Sequence, residues 1–170
     1  MRDGIRIGVS TCLLGERVRY DGEQKLDRVV RDILGAIFQL VPVCPEFELG
    51  LGVPREPIGL FGDPARPRLV GLDSGTDLTE RMEAWCKAKV EQLAAAGLHG
   101  FVLKARSPSC GVRGVMVAAE DGGEVPGSGL FALALAALLP ELPTEEDEAL
   151  HDPELREDFI QRVQRYAGRS

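Results

Sequence analysis

Apolar residues along this chain come in two forms: short unbroken runs closed by turn formers, and stripes at helical spacing. The runs are Arg6-Ile7-Gly8-Val9-Ser10, Leu40-Val41-Pro42-Val43, Gly100-Phe101-Val102-Leu103 and Val115-Met116-Val117-Ala118. Each has the length of a buried strand and stops where glycine, proline or a polar cluster takes over. Pro42 cannot donate to a ladder, which moves its run to the edge of a sheet. The stripes lie between the runs. Val29, Val30, Ile33, Leu34 and Ile37 follow Asp27, and Leu78, Met82, Trp85, Cys86, Val90 and Leu93 follow Asp77 and Thr79 as far as Gly97. Leu155, Phe159, Ile160 and Val163 follow Asp152-Pro153. A short carboxylate accepts from the exposed amides of a first helical turn, so Asp27, Asp77 and Asp152 mark helix starts. An almost wholly apolar helix covers Leu130 to Leu139.

Strand, helix, strand, helix, strand, strand, helix is the order of an α/β fold: an open, largely parallel sheet with helices on both faces. Glu16 to Lys25 has no consistent period and reads as a loop. Phe47 to Ser74 carries glycine at 50, 52, 59, 62 and 71 and proline at 54, 57, 64 and 67. It reads as a long packed excursion with one short strand near Leu69-Val70. Pro126-Gly127-Ser128-Gly129 opens the apolar helix, either to cradle an anion on free backbone amides or simply to permit a tight turn. Leu142 to His151 is acidic and reads as a solvated connector. The expected division is an α/β domain over 1–140, then the connector and a C-terminal helix over 141–170.

Composition narrows the function classes. A chain of 170 residues, 44% hydrophobic, is one domain by length and buries a core without disulfides. No apolar run approaches the roughly 20 residues that span a bilayer, so no membrane partner is expected. The net charge of −7 argues against sequence-independent nucleic-acid binding, which needs a basic surface to displace counterions. The N-terminus shows no signal-peptide succession, so the expected location is the cytoplasm, where four cysteines suit metal binding, catalysis or burial better than pairing.

Three of those cysteines share a position. Cys12, Cys44 and Cys110 each follow a predicted strand, Cys110 by way of the loop Lys104-Ala105-Arg106-Ser107-Pro108-Ser109. Parallel neighbouring strands carry their carboxyl ends to one edge of the sheet, the edge at which α/β folds bind ligands. Taken singly, each thiol reads equally well as a small buried hydrophobe. Cys86 is that case, mid-helix on the apolar face. His99 stands at the wrong end of its strand and His151 in the acidic connector, so neither completes a ligand set. Three thiolates suit zinc with an open position, or an iron–sulfur cluster with one iron free of protein.

Val9-Ser10-Thr11-Cys12-Leu13-Leu14-Gly15 with Val18-Arg19-Tyr20-Asp21-Gly22, then Val41-Pro42-Val43-Cys44-Pro45-Glu46, then Leu103 to Gly111, resemble the thiouracil desulfidase family. The resemblance implies a 4Fe-4S cluster on Cys12, Cys44 and Cys110, the fourth iron open to the sulfur of a thiolated pyrimidine. It also implies Glu46 and Ser107 as catalytic residues, and the expected substrate contacts are Ser109 and Lys104, with Arg55 and Arg19 as lesser candidates. Gly50 to Pro57, Asp77 to Glu80 and Asp152 to Ile160 resemble a branch that continues into a second domain where this chain stops. The implied substrate is therefore a base or nucleotide, such as thiouracil or 4-thiouridine monophosphate, ahead of thiolated transfer RNA. A zinc hydrolase on the same cysteines and a non-enzymatic iron–sulfur sensor or electron-transfer module are the alternatives.

Overall fold

The computed structural model describes residues 4–17 and 19–169, so Val18 of the second motif and the extreme N-terminus lie outside the described residues. β1 (Arg6–Ser10) ends in a 3-10 turn, Thr11–Leu14. A π-helical stretch (Val29–Leu34) runs into α1 (Gly35–Ile37), β2 (Gln39–Val43) and α2 (Pro45–Glu48). β3 (Ile58–Asp63) and β4 (Arg66–Gly71) precede α3 (Thr79–Ala95) and β5 (Gly100–Leu103). β6 (Val115–Ala118), β7 (Glu124–Gly127), α4 (Leu130–Leu138), β8 (Thr144–Glu146) and α5 (Pro153–Ala167) complete the chain.

The expected parallel sheet is present, in the order β2-β1-β5-β8 with every pairing parallel. Pro42 sits on its edge strand, where a missing donor costs least. The strand faces divide two cores. Ile7, Val9 and Val102 pack with Val30, Leu34, Phe159, Ile160 and Val163, while Val43, Phe101 and Leu103 pack with Met82, Cys86, Val90 and Phe131. Helices therefore cover both faces. Gly8 is required between them, since a Cβ there would fall within 3.0 Å of three ring atoms of Phe101. Phe101 in turn meets Phe131 edge-on with ring centroids 5.3 Å apart, a favourable aromatic geometry. All three expected starters accept from amides at their helix starts: Asp27 Oδ1 from Val30 N at 3.1 Å, Asp77 Oδ1 from Thr79 N at 2.9 Å, and Asp152 Oδ1 from Glu154 N at 2.9 Å.

Three segments differ from the sequence reading. The excursion contains two strands, not one: β3 and β4 pair antiparallel, and with β6 and β7 they form a second sheet in the order β4-β3-β6-β7. Pro67 and Pro126 lie on its two edge strands, so the prolines that argued against a strand are tolerated. The Gly-rich opening of α4 is partly β7, and its amides are occupied. Gly129 N donates to Gly111 O at 2.8 Å and Phe131 N to Ser109 O at 2.8 Å, which leaves the tight-turn reading and not the anion cradle. The acidic segment is not a solvated connector: Thr144–Glu146 pairs with β5, and Glu146 and Asp147 are buried.

Candidate active site

Strand register builds the site. Ser10 on β1 is level with Val43 on β2, and Val9 with Val102 on β5. Cys44 follows Val43 directly, Cys12 follows Ser10 by two residues, and the loop to Cys110 leaves β5 at the same level. All three cysteines line one cavity of about 340 Å³ at this carboxyl edge. Among the described residues no disulfide joins the cysteines. Cys86 lies apart, buried on α3, with its thiol pushed up to about 12 by burial and then by Glu83.

The three cavity thiols are held protonated by their surroundings. Burial pushes Cys12 up to about 11, with Cys44 nearby adding to it. Burial also raises Cys44, against an opposing hydrogen bond from the Phe47 amide. Cys110 is raised well above its ordinary value by burial, with the Ser10 hydroxyl opposing and Cys44 and Cys12 adding. Three thiolates in one small cavity need a bound cation to exist together, which is what a metal group provides when it displaces thiol protons. Among the described residues no group of three or more His, Cys, Asp or Glu side chains is placed to hold a single metal ion. Zinc ligands must all reach within about 2.3 Å of one ion. A cluster instead offers each thiolate its own iron, so three separate thiol donors are compatible with a 4Fe-4S group.

The loop 104–111 owes its shape to internal bonds. Ser107 Oγ accepts from Ser109 N at 3.2 Å and from Cys110 N at 3.1 Å. With both lone pairs engaged, the hydroxyl proton of Ser107, which lines the cavity, is left to donate. Lys104 N donates to Ser10 Oγ at 2.9 Å and its Nζ to Ala105 O at 2.8 Å, leaving ammonium donors for the cavity it lines. Ala105 N donates to the buried Asp147 Oδ1 at 2.7 Å. Arg106 takes a positive φ of 63°, and its guanidinium pairs with Glu148 at 2.6 Å.

Glu46 heads α2, two residues after Cys44, and reaches the same cavity. Its Oε1 meets Arg55 Nε at 3.1 Å, and its Oε2 accepts from Ser109 Oγ at 3.1 Å. The structure thus brings together Cys12, Cys44, Cys110, Glu46, Ser107 and Lys104 on the cavity wall. Ser109 stands behind that wall, fully buried, and meets Glu46 instead. Arg19, Tyr20, Lys25, Arg55 and Arg106 complete a lining that is basic in an acidic chain. Ser10 and Asp147 escaped the sequence reading. Ser10 looked like a strand residue and Asp147 like one of a run of solvated acids, and only their burial beside the loop singles them out.

An α/β protein with three thiols and one carboxylate around a cavity at the carboxyl edge of a parallel sheet is the class that these features define. The chain belongs to the 2-thiouracil desulfurase family, whose signature covers residues 7–147. An uncharacterised protein of Bacillus subtilis strain 168, YbbK, is 33% identical over 132 residues, 75% of this chain and 87% of that protein. The solved structure of a 4Fe-4S-dependent thiouracil desulfidase, TudS, superposes with a TM-score of 0.68 at 31% identity, covering 92% of this chain and 98% of that one.

Proposed function

We propose that this chain is a 4Fe-4S-dependent desulfidase that removes sulfur from a thiolated pyrimidine, as the free base or the nucleotide. The observation that carries the reading is the meeting of Cys12, Cys44 and Cys110 with Glu46 in one cavity. Cys12, Cys44 and Cys110 would hold the cluster, and its iron without a cysteine would offer a Lewis-acid position to a thiocarbonyl sulfur. Glu46 takes a proton from water as the oxygen adds to the ring carbon; two carboxylate oxygens offer about four lone-pair positions, and the bonds from Arg55 Nε and Ser109 Oγ fall on different oxygens. The carbon–sulfur bond then breaks and sulfur departs as hydrosulfide with one proton. Thiocarbonyl and water become carbonyl, hydrosulfide and the proton that Glu46 holds, with no net change in electrons.

Ser107 donates its remaining proton to the substrate, and Lys104 offers a positive charge to an anionic ring or phosphate. The basic lining supports a nucleotide, and a thiolated transfer RNA ranks behind it. Among the described residues no helix is long and apolar enough to cross a membrane. A reducing cytoplasm, which keeps thiols available to a metal group, is the location that this reading implies.

Anaerobic reconstitution followed by iron and sulfide analysis tests the cofactor: about four of each per chain are expected, lost in Cys110→Ser and kept in Cys86→Ser. Decay of thiocarbonyl absorbance from 2-thiouracil and 4-thiouridine monophosphate tests the reaction, and Glu46→Gln should slow it by ~10²-fold or more. Zinc without sulfide, or no decay with either compound, would sink the reading.

A further inference from the structure

We infer that Arg55 and Ser109 are positioning residues that fix the plane of the Glu46 carboxylate against the substrate cavity. The inference rests on the reading of Glu46 as the group that receives the proton of water. Neither partner is close to Glu46 by chain necessity. Arg55 lies nine residues on, after a loop with Gly50 and Gly52 at positive φ, and Ser109 lies 63 residues on, behind β5. They approach different oxygens, Arg55 Nε at Oε1 and Ser109 Oγ at Oε2, each at 3.1 Å. One donor leaves a carboxylate free to turn about its last torsion, whereas two donors on opposite oxygens do not.

Both donors are themselves held. Arg55 donates from a terminal guanidinium nitrogen to Gly52 O at 2.8 Å and from its backbone amide to Tyr20 O at 2.7 Å, with its side chain 6% exposed. Ser109 is fully buried, its amide bonded to Ser107 Oγ and its carbonyl to Phe131 N and Ala132 N at the start of α4. Its hydroxyl has no place on the cavity wall, so it meets the carboxylate and not the substrate. An ion pair kept only for stability would be equally well placed in the protein interior. Here the carboxylate is 13% exposed and faces the cavity that the three thiols line. A reacting group misplaced by about 1 Å costs roughly 10²-fold in rate, which is the scale at which such clamping matters.

The test uses the reconstituted full chain with Ser109→Ala, Arg55→Lys and each combined with Glu46→Gln. Ser109→Ala should lower kcat by ~10-fold or more with KM within about twofold, and with iron and sulfide unchanged. Arg55→Lys keeps the charge but loses the fork, and should fall by a comparable factor. Neither substitution should lower kcat further once Glu46 is Gln, because groups that act through one residue are not additive. Crystal structures of the two single variants should show the Glu46 carboxylate turned or spread over more than one orientation. A KM effect without a kcat effect, full additivity with Glu46→Gln, or an undisturbed carboxylate would overturn the inference. If Glu46→Gln is inactive while both single variants turn over normally, the positioning role fails and the role of Glu46 stands. An active Glu46→Gln removes the role of Glu46 itself, and the positioning role with it. Should Arg55→Lys fail to fold, Ser109→Ala, nearly isosteric, keeps the decision.

Discussion

Gly129→Ala isolates the contact that holds the third thiol in place. At Gly129 a Cβ would lie under 3.0 Å from the carbonyl carbon and oxygen of Ser109, and 2.8 Å from Pro108 O. Ordinary contact begins at 3.4 Å, so the helix and loop must part by about 0.9 Å at the Ser109 oxygen, which the Cβ would approach to 2.5 Å, and by about 0.6 Å at Pro108. These obstacles are backbone atoms, which cannot swing aside as a side-chain tip can. The four amide bonds from Gly129, Leu130, Phe131 and Ala132 to the loop carbonyls lengthen together. Overpacking of this kind costs about 1–3 kcal/mol. In a chain this size about 2 kcal/mol corresponds to a Tm lower by roughly 4–8 °C.

The sign decides the matter, because the backbone of Gly129, at φ −67° and ψ 158°, suits alanine. Without the clash, Gly129→Ala would stabilise by about 0.4–1 kcal/mol through the unfolded state. Gly168→Ala is the control: its φ is −71°, and an added Cβ meets only ordinary contacts at 3.5 and 3.6 Å. Circular-dichroism melts of the reduced apoprotein should show Gly129→Ala below wild type and Gly168→Ala at or above it. Iron bound after reconstitution should fall in Gly129→Ala alone, since the displaced segment carries Cys110. A Gly129→Ala protein as stable as wild type, with full iron, would refute the reasoning.

Three further outcomes follow from the geometry. Asp147→Ala removes the acceptor of the Ala105 amide and should destabilise by about 1–3 kcal/mol in urea unfolding, whereas Asp147→Asn, which keeps a carbonyl oxygen, should lose less. Maleimide labelling of the apoprotein at pH 8, read by mass spectrometry, should modify the partly exposed Cys12 and Cys44 long before Cys86, through access and not acidity, since Cys12 is itself pushed up to about 11; rapid labelling of Cys86 would contradict its core placement. Glu56 is held below its ordinary value of 4.5 by the Ser74 amide and hydroxyl and the Asp73 amide. A depressed carboxyl contributes stability above its unfolded value and loses it as pH falls through the folded one. Acid unfolding curves of wild type and Glu56→Gln should therefore differ above the ordinary value of 4.5 and draw together as pH falls below it.

Much of the site was readable from local pattern because its chemistry hangs on strand ends. β1, β5 and β6 begin and end where their apolar runs do, and a thiol just after such a run needs only parallel pairing to reach the common edge. The motif resemblance then selected Glu46 and Ser107, which do line the cavity with the cysteines. Ser109 differed because a side chain's direction within a tight loop depends on the loop's own bonds and on α4 packed behind it.

Local pattern was enough for the α/β order, the helix starts at Asp27, Asp77 and Asp152, and the shared topological position of Cys12, Cys44 and Cys110. Those are properties of periodicity and of short-range capping, in which a residue's neighbours in the chain are its neighbours in space. The second sheet was out of reach of such patterns, since Ile58–Asp63 and Arg66–Gly71 become strands by pairing with each other and, through Ile58–Asp63, with β6, against the breakers within them. The burial of Glu146 and Asp147, which accept from the amides of Val112 and Ala105, likewise comes from the folded packing. So does the meeting of Glu46 with Arg55 and Ser109. Such contacts depend on long-range pairing and burial, for which a single chain of residue types carries no local signal.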